Sequence, residues 1–221
     1  MSKLVWDQIG DRLYETGVEQ AAIFPMTKDG TYGTGAAWNG LTAITESPSG
    51  AEPTALYAND KKYIELMSAE EFGGTIEAYT YPDEFGACNG EAVLAKGIRL
   101  TQQSRMPFGL VYKSLIGNDT EGTKHGYKLT FVYNARVSPS EKSNNTVNDS
   151  PEAATLSWEF TTTPVEIAGF DPTSRIVINS TEIDADKLAA IEAIVYGSES
   201  EEARMILPDE LITMMGDEAQ G

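Results

Sequence analysis

The chain has 221 residues, and its 34 acidic and 16 basic side chains give a net charge of −18. This charge argues against a protein that grips a phosphate backbone, because such proteins need clustered lysine and arginine. The single cysteine, Cys88, excludes an intrachain disulfide, and the opening MSKLVWDQIGDRLYETG lacks the apolar stretch of a signal peptide. No apolar run reaches transmembrane length, so we expect synthesis and folding in a reducing cytoplasm.

The first part of the chain carries mixed signals. Residues 17–25, GVEQAAIFP, could form an extended arm or a strand that ends at Pro25. Residues 28–63 are rich in Gly, Pro, Asn, Ser and Thr, and only AAWNGLTAIT among them has the pattern of paired strands. We therefore predict a long loop over residues 40–63. A long loop in a compact domain commonly contacts a partner.

The middle of the chain is a series of predicted strands. Alternating or short apolar runs mark them at residues 73–82, 95–105, 108–117, 125–139, 154–163 and 173–180. In the fourth of these runs, alternation predicts one shared face for Tyr127, Leu129, Phe131, Tyr133, Ala135 and Val137. About seven or eight strands with turn signals between them predict a β-sandwich or barrel.

The strand at 154–163 has the clearest two-sided pattern. One face is apolar and consists of Leu156, Trp158 and Phe160. The other face is polar and consists of Thr155, Ser157, Glu159 and Thr161. The apolar face is expected to pack on the core. The polar face could meet water, a ligand or another copy of the chain.

The composition changes after residue 180. STEIDADKLAAIEAIVYG predicts a helix with an acidic start and a stop at Gly197, and LPDELITMMG predicts a second, short helix with Pro208 at its first position. The apolar positions that recur at helical spacing are Leu188, Ile191 and Val195. Because the segment is strongly acidic, we divide the chain into a β-rich domain, residues 1–180, and an acidic helical extension, residues 181–221.

No pattern in the chain predicts a catalytic, cofactor or metal site. The only histidine, His125, lies in a turn before a strand, and Cys88 has no histidine near it in sequence, so both are interpreted as structural. Carboxylate pairs can be drawn in any chain this acidic, for example Glu70 with Glu84 or Asp83 with Glu91. GTYGTG lacks the ending of a phosphate loop, and DTEG and NNTVND lack the spacing of a calcium loop. We therefore expect neither an enzyme nor a cofactor.

Aromatic residues leave a sugar-binding surface open as an alternative. The residues concerned are Trp38, Tyr57, Tyr63, Tyr79, Tyr81, Phe85, Phe108, Tyr112 and Tyr127. Most of them fall at apolar strand positions or beside turns, which favours core packing.

Several long strings, in this order, resemble one known family. They are WNGLTAITESPSGAEPTALYANDKKY, EAYTYPDEFGACNG, TQQSRMPFGLVYKSLIGND, HGYKLTFVYNARVSPSEKSNNTVNDSPEAATLSWEFTTTPV and the later KLAAIEAIVYG and LPDELI. Together they are similar to the major tail protein, or tail tube protein, of long-tailed siphophages and related prophages of Gram-positive bacteria. The resemblance extends from about residue 17 to residue 212.

The resemblance implies a β-sandwich-like subunit with a flanking helix, which forms hexameric rings that stack into a tube. In such a tube, strands from every subunit form a continuous barrel around the channel through which the DNA leaves the particle. The implied partners are other copies of the chain, a tape-measure protein, and tail initiator and terminator proteins. The implied place is the virion tail, after synthesis in the bacterial host, with no membrane partner and no specific binding of the passing DNA.

Two other interpretations remain open at this point. A monomeric β-sandwich that binds a carbohydrate or another ligand would need an exposed aromatic platform and would not polymerise. An acidic hydrolase would need a cleft that holds two close carboxylates.

Overall fold

The computed structural model describes residues 3–146 and 153–216. The protein is mainly β, with one large antiparallel sheet, several short hairpins and two helices, as predicted. The end of the NNTVND segment, residues 147–149, and the end of the acidic extension, residues 217–221, lie outside the described residues.

Within the described residues the strands are β1 (Tyr14–Pro25), β2 (Ala36–Ala37), β3 (Leu41–Glu46), β4 (Ser49–Gly50), β5 (Pro53–Ala58), β6 (Lys61–Met67), β7 (Glu70–Glu71), β8 (Gly73–Ala78), β9 (Ala92–Ala95), β10 (Ile98–Leu100), β11 (Phe108–Asn118), β12 (Gly122–Val137), β13 (Leu156–Thr162), β14 (Val165–Ile167), β15 (Phe170–Thr173) and β16 (Arg175–Asn179). A short 3-10 helix spans Asp83–Ala87, and the α-helices are α1 (Ala185–Tyr196) and α2 (Pro208–Met215).

The large sheet folds over itself into two layers. Its strand order is β2-β1-β11-β12-β13-β8-β3, and β16 also pairs with β12. The middle of β12, residues 128–132, pairs with β16, and its last residues pair with β13. One layer therefore contains β1, β11, β12 and β16, and the other contains β13, β8 and β3. The short β2 returns onto β1, where the Trp38 amide donates to the Ala21 carbonyl at 2.8 Å.

A bulge in β12 marks the passage from one layer to the other. Asn134 has a φ of 48°, a left-handed conformation that asparagine tolerates better than most residues. Here one residue of β11 lies opposite two of β12, because Phe108 pairs with Ala135 but Leu110 pairs with Val132. The extra residue reverses the faces of the strand beyond it.

The predicted single face of residues 127–137 is therefore wrong. Leu129, Phe131 and Tyr133 pack against the helices, whereas Ala135 and Val137 pack between the two layers of the sheet.

The inner core lies between the two layers of the sheet. The apolar face of β13 is buried there, as predicted for Leu156, Trp158 and Phe160. Trp38, Phe85 and Trp158 form an aromatic cluster with ring centroids 4.6 to 5.6 Å apart. Cys88 is fully buried in this core, and burial raises the pKa of its thiol to about 12. The interpretation of Cys88 as a small buried residue is confirmed.

A second core lies between the outer surface of the first layer and the two helices. The predicted apolar stripe of α1 is buried, and the predicted end of the helix at Gly197 is also found. Asp184 caps α1 by accepting from the amides of Asp186 and Lys187, and Pro208 begins α2. The described part of the predicted extension, residues 181–216, thus shares a core with the sheet.

A partly buried ion pair joins α1 to the sheet. The Lys113 ammonium on β11 lies 2.6 Å from a Glu192 carboxylate oxygen, and the Tyr127 hydroxyl donates to the same oxygen at 2.7 Å. The ammonium also lies 4.3 Å from the centre of the Tyr127 ring. Burial and the hydrogen bond to Glu192 raise the pKa of Tyr127 to about 12, which keeps its hydroxyl a donor. The contact fixes the helix against one position of the sheet.

The predicted long loop over residues 40–63 is wrong. AAWNGLTAIT is found as β2 and β3, as its pattern predicts, but the rest of the stretch contains β4, β5 and the start of β6, and β5 and β6 form a hairpin. The two turn residues, Asn59 and Asp60, have φ values of 50° and 61°, as a tight primed turn requires. We refer to residues 53–67 as the projecting hairpin. The last part of the predicted loop therefore forms the first strand, the turn and the beginning of the second strand of this hairpin.

Candidate assembly surfaces

The residues weighed for catalysis are held in structural contacts. The His125 Nδ1 atom lies 2.9 Å from a Glu121 carboxylate oxygen and 3.2 Å from the Asn118 amide nitrogen, at the turn between β11 and β12. These contacts connect the two ends of the turn. No group of three or more metal-ligating side chains is found within the described residues.

One of the two carboxylate pairs considered in the sequence is brought together. The Arg99 guanidinium lies between Asp83 and Glu91, at 2.5 Å from the first carboxylate and 3.1 Å from the second. Burial acts to raise the pKa of Glu91, but hydrogen bonds from Tyr81, Arg99 and Asn89 lower it overall. A carboxylate held ionised in this way accepts hydrogen bonds and serves poorly as a general acid.

The contacts of Glu91 predict an acid-sensitive contribution to stability. Because its folded pKa lies below the ordinary value of 4.5, Glu91 contributes stability above about pH 4.5 and loses it as the pH falls through the folded value. We expect Glu91→Gln to lower the free energy of unfolding by about 1–2 kcal/mol at pH 7, and by less below pH 4.5. Urea unfolding across this pH range measures the difference. The matched control is Glu84→Gln on the nearby 3-10 helix, where the side chain is exposed and no change is expected; equal loss in both variants would contradict the prediction.

The polar face of β13 belongs to a larger uncovered sheet surface. Since Ile76, Trp158 and Phe160 point into the inner core, their neighbours in the three strands point away from it. The outward residues of β3, β8 and β13 are Ala43, Thr45, Thr75, Glu77, Ser157, Glu159 and Thr161. These three strands contain no lysine or arginine, and Arg136 lies at their border opposite Thr161. We refer to this surface as the polar face.

The two outer surfaces of the folded sheet are therefore unlike. The β1, β11, β12 and β16 surface is covered by α1 and α2 through the second core. On the polar face, Thr45, Glu159 and Thr161 are exposed, and the side chains are mostly small. This difference gives the subunit a helical side and an open sheet side.

The projecting hairpin exposes apolar side chains on both of its faces. Tyr57 and Tyr63 are 72% and 78% exposed, and Leu56, Ile64, Leu66 and Met67 are also exposed. Leu56 lies opposite Ile64, and Thr54 lies opposite Leu66, so an apolar stripe runs along one side. An isolated two-stranded hairpin is at best marginally stable in water. Exposed apolar residues on both of its faces are typical of a surface that binds a partner.

The N-terminal arm, residues 3–13, is a second exposed apolar segment. Its large apolar residues are exposed and are Leu4, Val5, Trp6, Ile9 and Leu13. The end of the arm is attached to the turn between β11 and β12: the Gly10 amide donates to Asp119 at 2.9 Å, and Arg12 pairs with Asp119 at 3.6 Å. The arm is thus fixed near residue 10 and presents its apolar residues away from the core.

A third exposed segment is the short hairpin of β9 and β10. Val93, Leu94, Ile98 and Leu100 are exposed on it, and Lys96 lies at its turn. With the projecting hairpin and the arm, it makes three apolar protrusions on one small chain. Scattered surface apolar residues are ordinary, but clusters on protrusions are typical of interaction sites.

The structure divides the aromatic residues considered for sugar binding. Trp38, Phe85, Phe108 and Tyr112 are buried, as their strand pattern predicts. Tyr57, Tyr63 and Tyr79 are exposed. Tyr57 and Tyr63 lie on the projecting hairpin, which was predicted as a loop. The signal for their exposure was the Asn59-Asp60 pair, which places both tyrosines within two or three residues of a tight turn.

Neither helix among the described residues is long and apolar enough to cross a membrane. No protein-family model matches the chain, and no curated protein matches it.

Proposed function

We propose that this chain is the subunit of a phage tail tube, in which six copies form a ring and the rings stack into a conduit for DNA during ejection. Two lines support the proposal. The first is the resemblance over most of the chain to tail tube proteins. The second is the combination of an open polar sheet face with apolar protrusions that its own fold leaves uncovered.

The polar face suits the wall of a channel for DNA. It presents small hydroxyl side chains and two carboxylates, Glu77 and Glu159, and its three strands carry no lysine or arginine. A surface of this charge repels phosphates, so that DNA can slide without releasing cationic contacts. In the proposed tube the helices face outwards and the polar face lines the channel.

Ring closure needs contacts between the edges of neighbouring sheets. Among the described strands, β16 pairs only with β12, β3 only with β8 and β2 only with β1, so each has an edge without a hydrogen-bonded strand partner, although β3 also lies near β1 of the same copy. Edges of this kind vanish when each one pairs with the next subunit of a closed ring. A second, head-to-tail contact is then required to stack the rings.

The exposed apolar side chains of the projecting hairpin are the main structural support for self-assembly. They are exposed on both faces of the hairpin, so the chain's own body covers neither. We assign the hairpin and the N-terminal arm to contacts between rings. The tape-measure, initiator and terminator proteins of a tail are the remaining proposed partners, and the proposed location is the virion tail.

Electron microscopy of the purified protein tests the proposal. Because each copy carries a charge of −18, copies repel one another, and raising the ionic strength from about 0.01 M to about 1 M shortens the screening length from about 30 Å to about 3 Å. We expect hollow rings or tubes of uniform width to increase with salt. Assembly that is unaffected or inhibited by salt would count against this electrostatic account.

The exposed Tyr57 and Tyr63 also fit a second candidate function, a monomeric module that binds carbohydrate through aromatic side chains. Particles that stay monomeric at high concentration and high salt and that bind a glycan array would favour this alternative over the tube.

A further inference from the structure

We propose that the tip of the projecting hairpin of one copy docks into a cleft beside α1 of the next copy along the tube axis. The inference rests on the proposed tube, because it identifies the two surfaces that meet where rings stack. Four features of the molecule support it: the shape of the cleft, the charge of its rim, the chemistry of the hairpin tip, and the positions of both in the fold.

The cleft lies between the C-terminal end of α1 and the β1–β2 region, and has a volume of about 920 Å³. This is at the upper end of the range of about 300–1,000 Å³ usual for ligand clefts. Its apolar lining includes Val18, Ala36, Ala37, Leu41, Val195 and Tyr196. We refer to it as the α1 cleft. The Lys113–Glu192 ion pair also lines the cleft, and the small residues Ala36 and Ala37 leave room in it for large side chains supplied by a partner.

The rim of the α1 cleft is acidic. Glu19 lines it directly, and the loop after α1, which adjoins the cleft through Tyr196 and Ala203, adds Glu199, Glu201 and Glu202. All four carboxylates are exposed, and none forms an ion pair with another described residue. Glu202 accepts a hydrogen bond from the Thr34 hydroxyl at 3.0 Å, which fixes the loop to the rim. The rim therefore favours a cationic partner.

The tip of the projecting hairpin has the complementary chemistry. It combines Lys61 and Lys62 with the exposed rings of Tyr57 and Tyr63. Lys61 forms no ion pair in the described part of the chain, and Lys62 is paired only with Glu65 of its own strand, in an exposed contact of little energy. Asp60 in the turn offsets one of the two lysine charges, so the tip keeps a net charge of about +1 beside two exposed tyrosines, in a chain of net charge −18.

The hairpin tip does not occupy the cleft of its own copy, because Tyr57 and Tyr63 are exposed. Leu41, at the start of β3, lines the α1 cleft, whereas the projecting hairpin follows the end of β3 at Glu46. A strand of six residues separates these points by about 17 Å. The base of the hairpin and the α1 cleft therefore lie at opposite ends of β3. A contact between opposite ends joins copies head to tail and propagates, as ring stacking requires.

Other protrusions carry a positive charge and compete for the same cleft. Lys96 lies at the turn of the β9–β10 hairpin, and Lys3 lies at the start of the described N-terminal arm. Each supplies one lysine, and neither places tyrosines beside it. The projecting hairpin is favoured because it alone among the three provides two lysines and two exposed rings at one tip.

Zero-length cross-linking of the full-length chain tests the inference. Equal amounts of ¹⁴N- and ¹⁵N-labelled protein are mixed at the salt concentration that promotes association, treated with a water-soluble carbodiimide, and digested for mass spectrometry. The reagent joins a lysine amine to a carboxylate in direct contact with loss of water. We expect mixed-isotope peptides that link Lys61 or Lys62 to Glu199, Glu201 or Glu202.

The isotope pattern separates the failure of this inference from that of the proposed function. Mixed-isotope links that run from Lys96 or Lys3 to the rim, or that avoid the rim, would overturn the hairpin docking while copies still associate. Links confined to single-isotope pairs would show that copies do not associate, and would overturn both.

A charge exchange gives a second, independent readout. Lys61→Glu/Lys62→Glu and Glu199→Lys/Glu201→Lys/Glu202→Lys are each expected to raise the concentration needed for assembly by about tenfold or more, because like charges then face each other. Combining all five substitutions in one chain restores opposite charges and is expected to restore assembly. Lys96→Glu is the matched control and should leave assembly near the wild-type level. A combined variant no better than the separate ones would contradict the pairing.

Discussion

A Tyr57→Ser/Tyr63→Ser variant is expected to fold normally and to form no tubes under conditions in which the wild type assembles. Both rings are largely exposed in the subunit, so their removal costs the folded chain little. Aromatic residues buried at an interface commonly contribute about 2 kcal/mol or more each. Two such losses weaken each contact about a thousandfold. Light scattering and electron microscopy measure assembly, and thermal unfolding checks the fold.

The matched control is Phe170→Ser. Phe170 is similarly exposed, but it lies on β15 of the small β14–β15 hairpin, which contacts α2 on the helical side of the subunit. In the proposed tube that side faces outwards, so the control should assemble like the wild type. Tubes from the double variant at the wild-type concentration would remove the hairpin from the stacking contact.

An Ile191→Ala variant is expected to lose about 3 kcal/mol of unfolding free energy, because it leaves a cavity in the second core. Ile191 is fully buried between α1 and the sheet. Since residues from both proposed segments form this core, we expect the whole chain to unfold in one transition at a lower denaturant concentration. Leu207→Ala removes an exposed leucine in the same segment and is expected to change stability by less than about 0.5 kcal/mol.

Two spectroscopic signals make this a test of the division at residue 180. Trp38 and Trp158 lie in the inner core and report the β-rich part by fluorescence, whereas the far-UV signal at the helical minimum reports α1 and α2. Coincident shifts of both signals are the expected result. A helical signal that melts early while the tryptophan transition stays in place would instead make residues 181–221 a separate module.

The local pattern predicted the elements whose two faces differ. Leu156, Trp158 and Phe160 alternate with polar residues, and the strand and its buried face are found as predicted. The stripe of Leu188, Ile191 and Val195 predicted the buried face of α1, and Gly197 its end. In these elements the apolar residues recur at a constant spacing, and all of them face the same core.

Elements that change environment along their length escaped prediction. The alternation over residues 127–137 continues without interruption, yet the bulge at Asn134 exchanges its two faces between the two cores. A bulge inserts one residue that has no partner on the neighbouring strand, and the alternation of apolar residues does not reveal it. The sequence thus predicted the strand but not which core received each side chain.

The projecting hairpin was missed because its apolar residues pack on nothing within the chain. A strand is inferred from an apolar face that a core will bury, and here Tyr57, Ile64 and Leu66 remain exposed. The turn at Asn59-Asp60 was a usable local signal, but the surrounding Gly, Pro and Ser favoured a loop. The polar face could be predicted from strand 154–163 alone, whereas its extension across β8 and β3 follows from strand pairing that lies far apart in sequence.

The opposite positions of the projecting hairpin and the α1 cleft bear on how long such a polymer can grow. Every added ring would present a free cleft or a free hairpin identical to the one it has just covered, so each addition would release the same free energy as the last. Growth by equal steps yields a broad, roughly exponential spread of lengths. A defined length must then come from an external ruler and an end cap, and the purified chain alone would form filaments of uniform width but no preferred length.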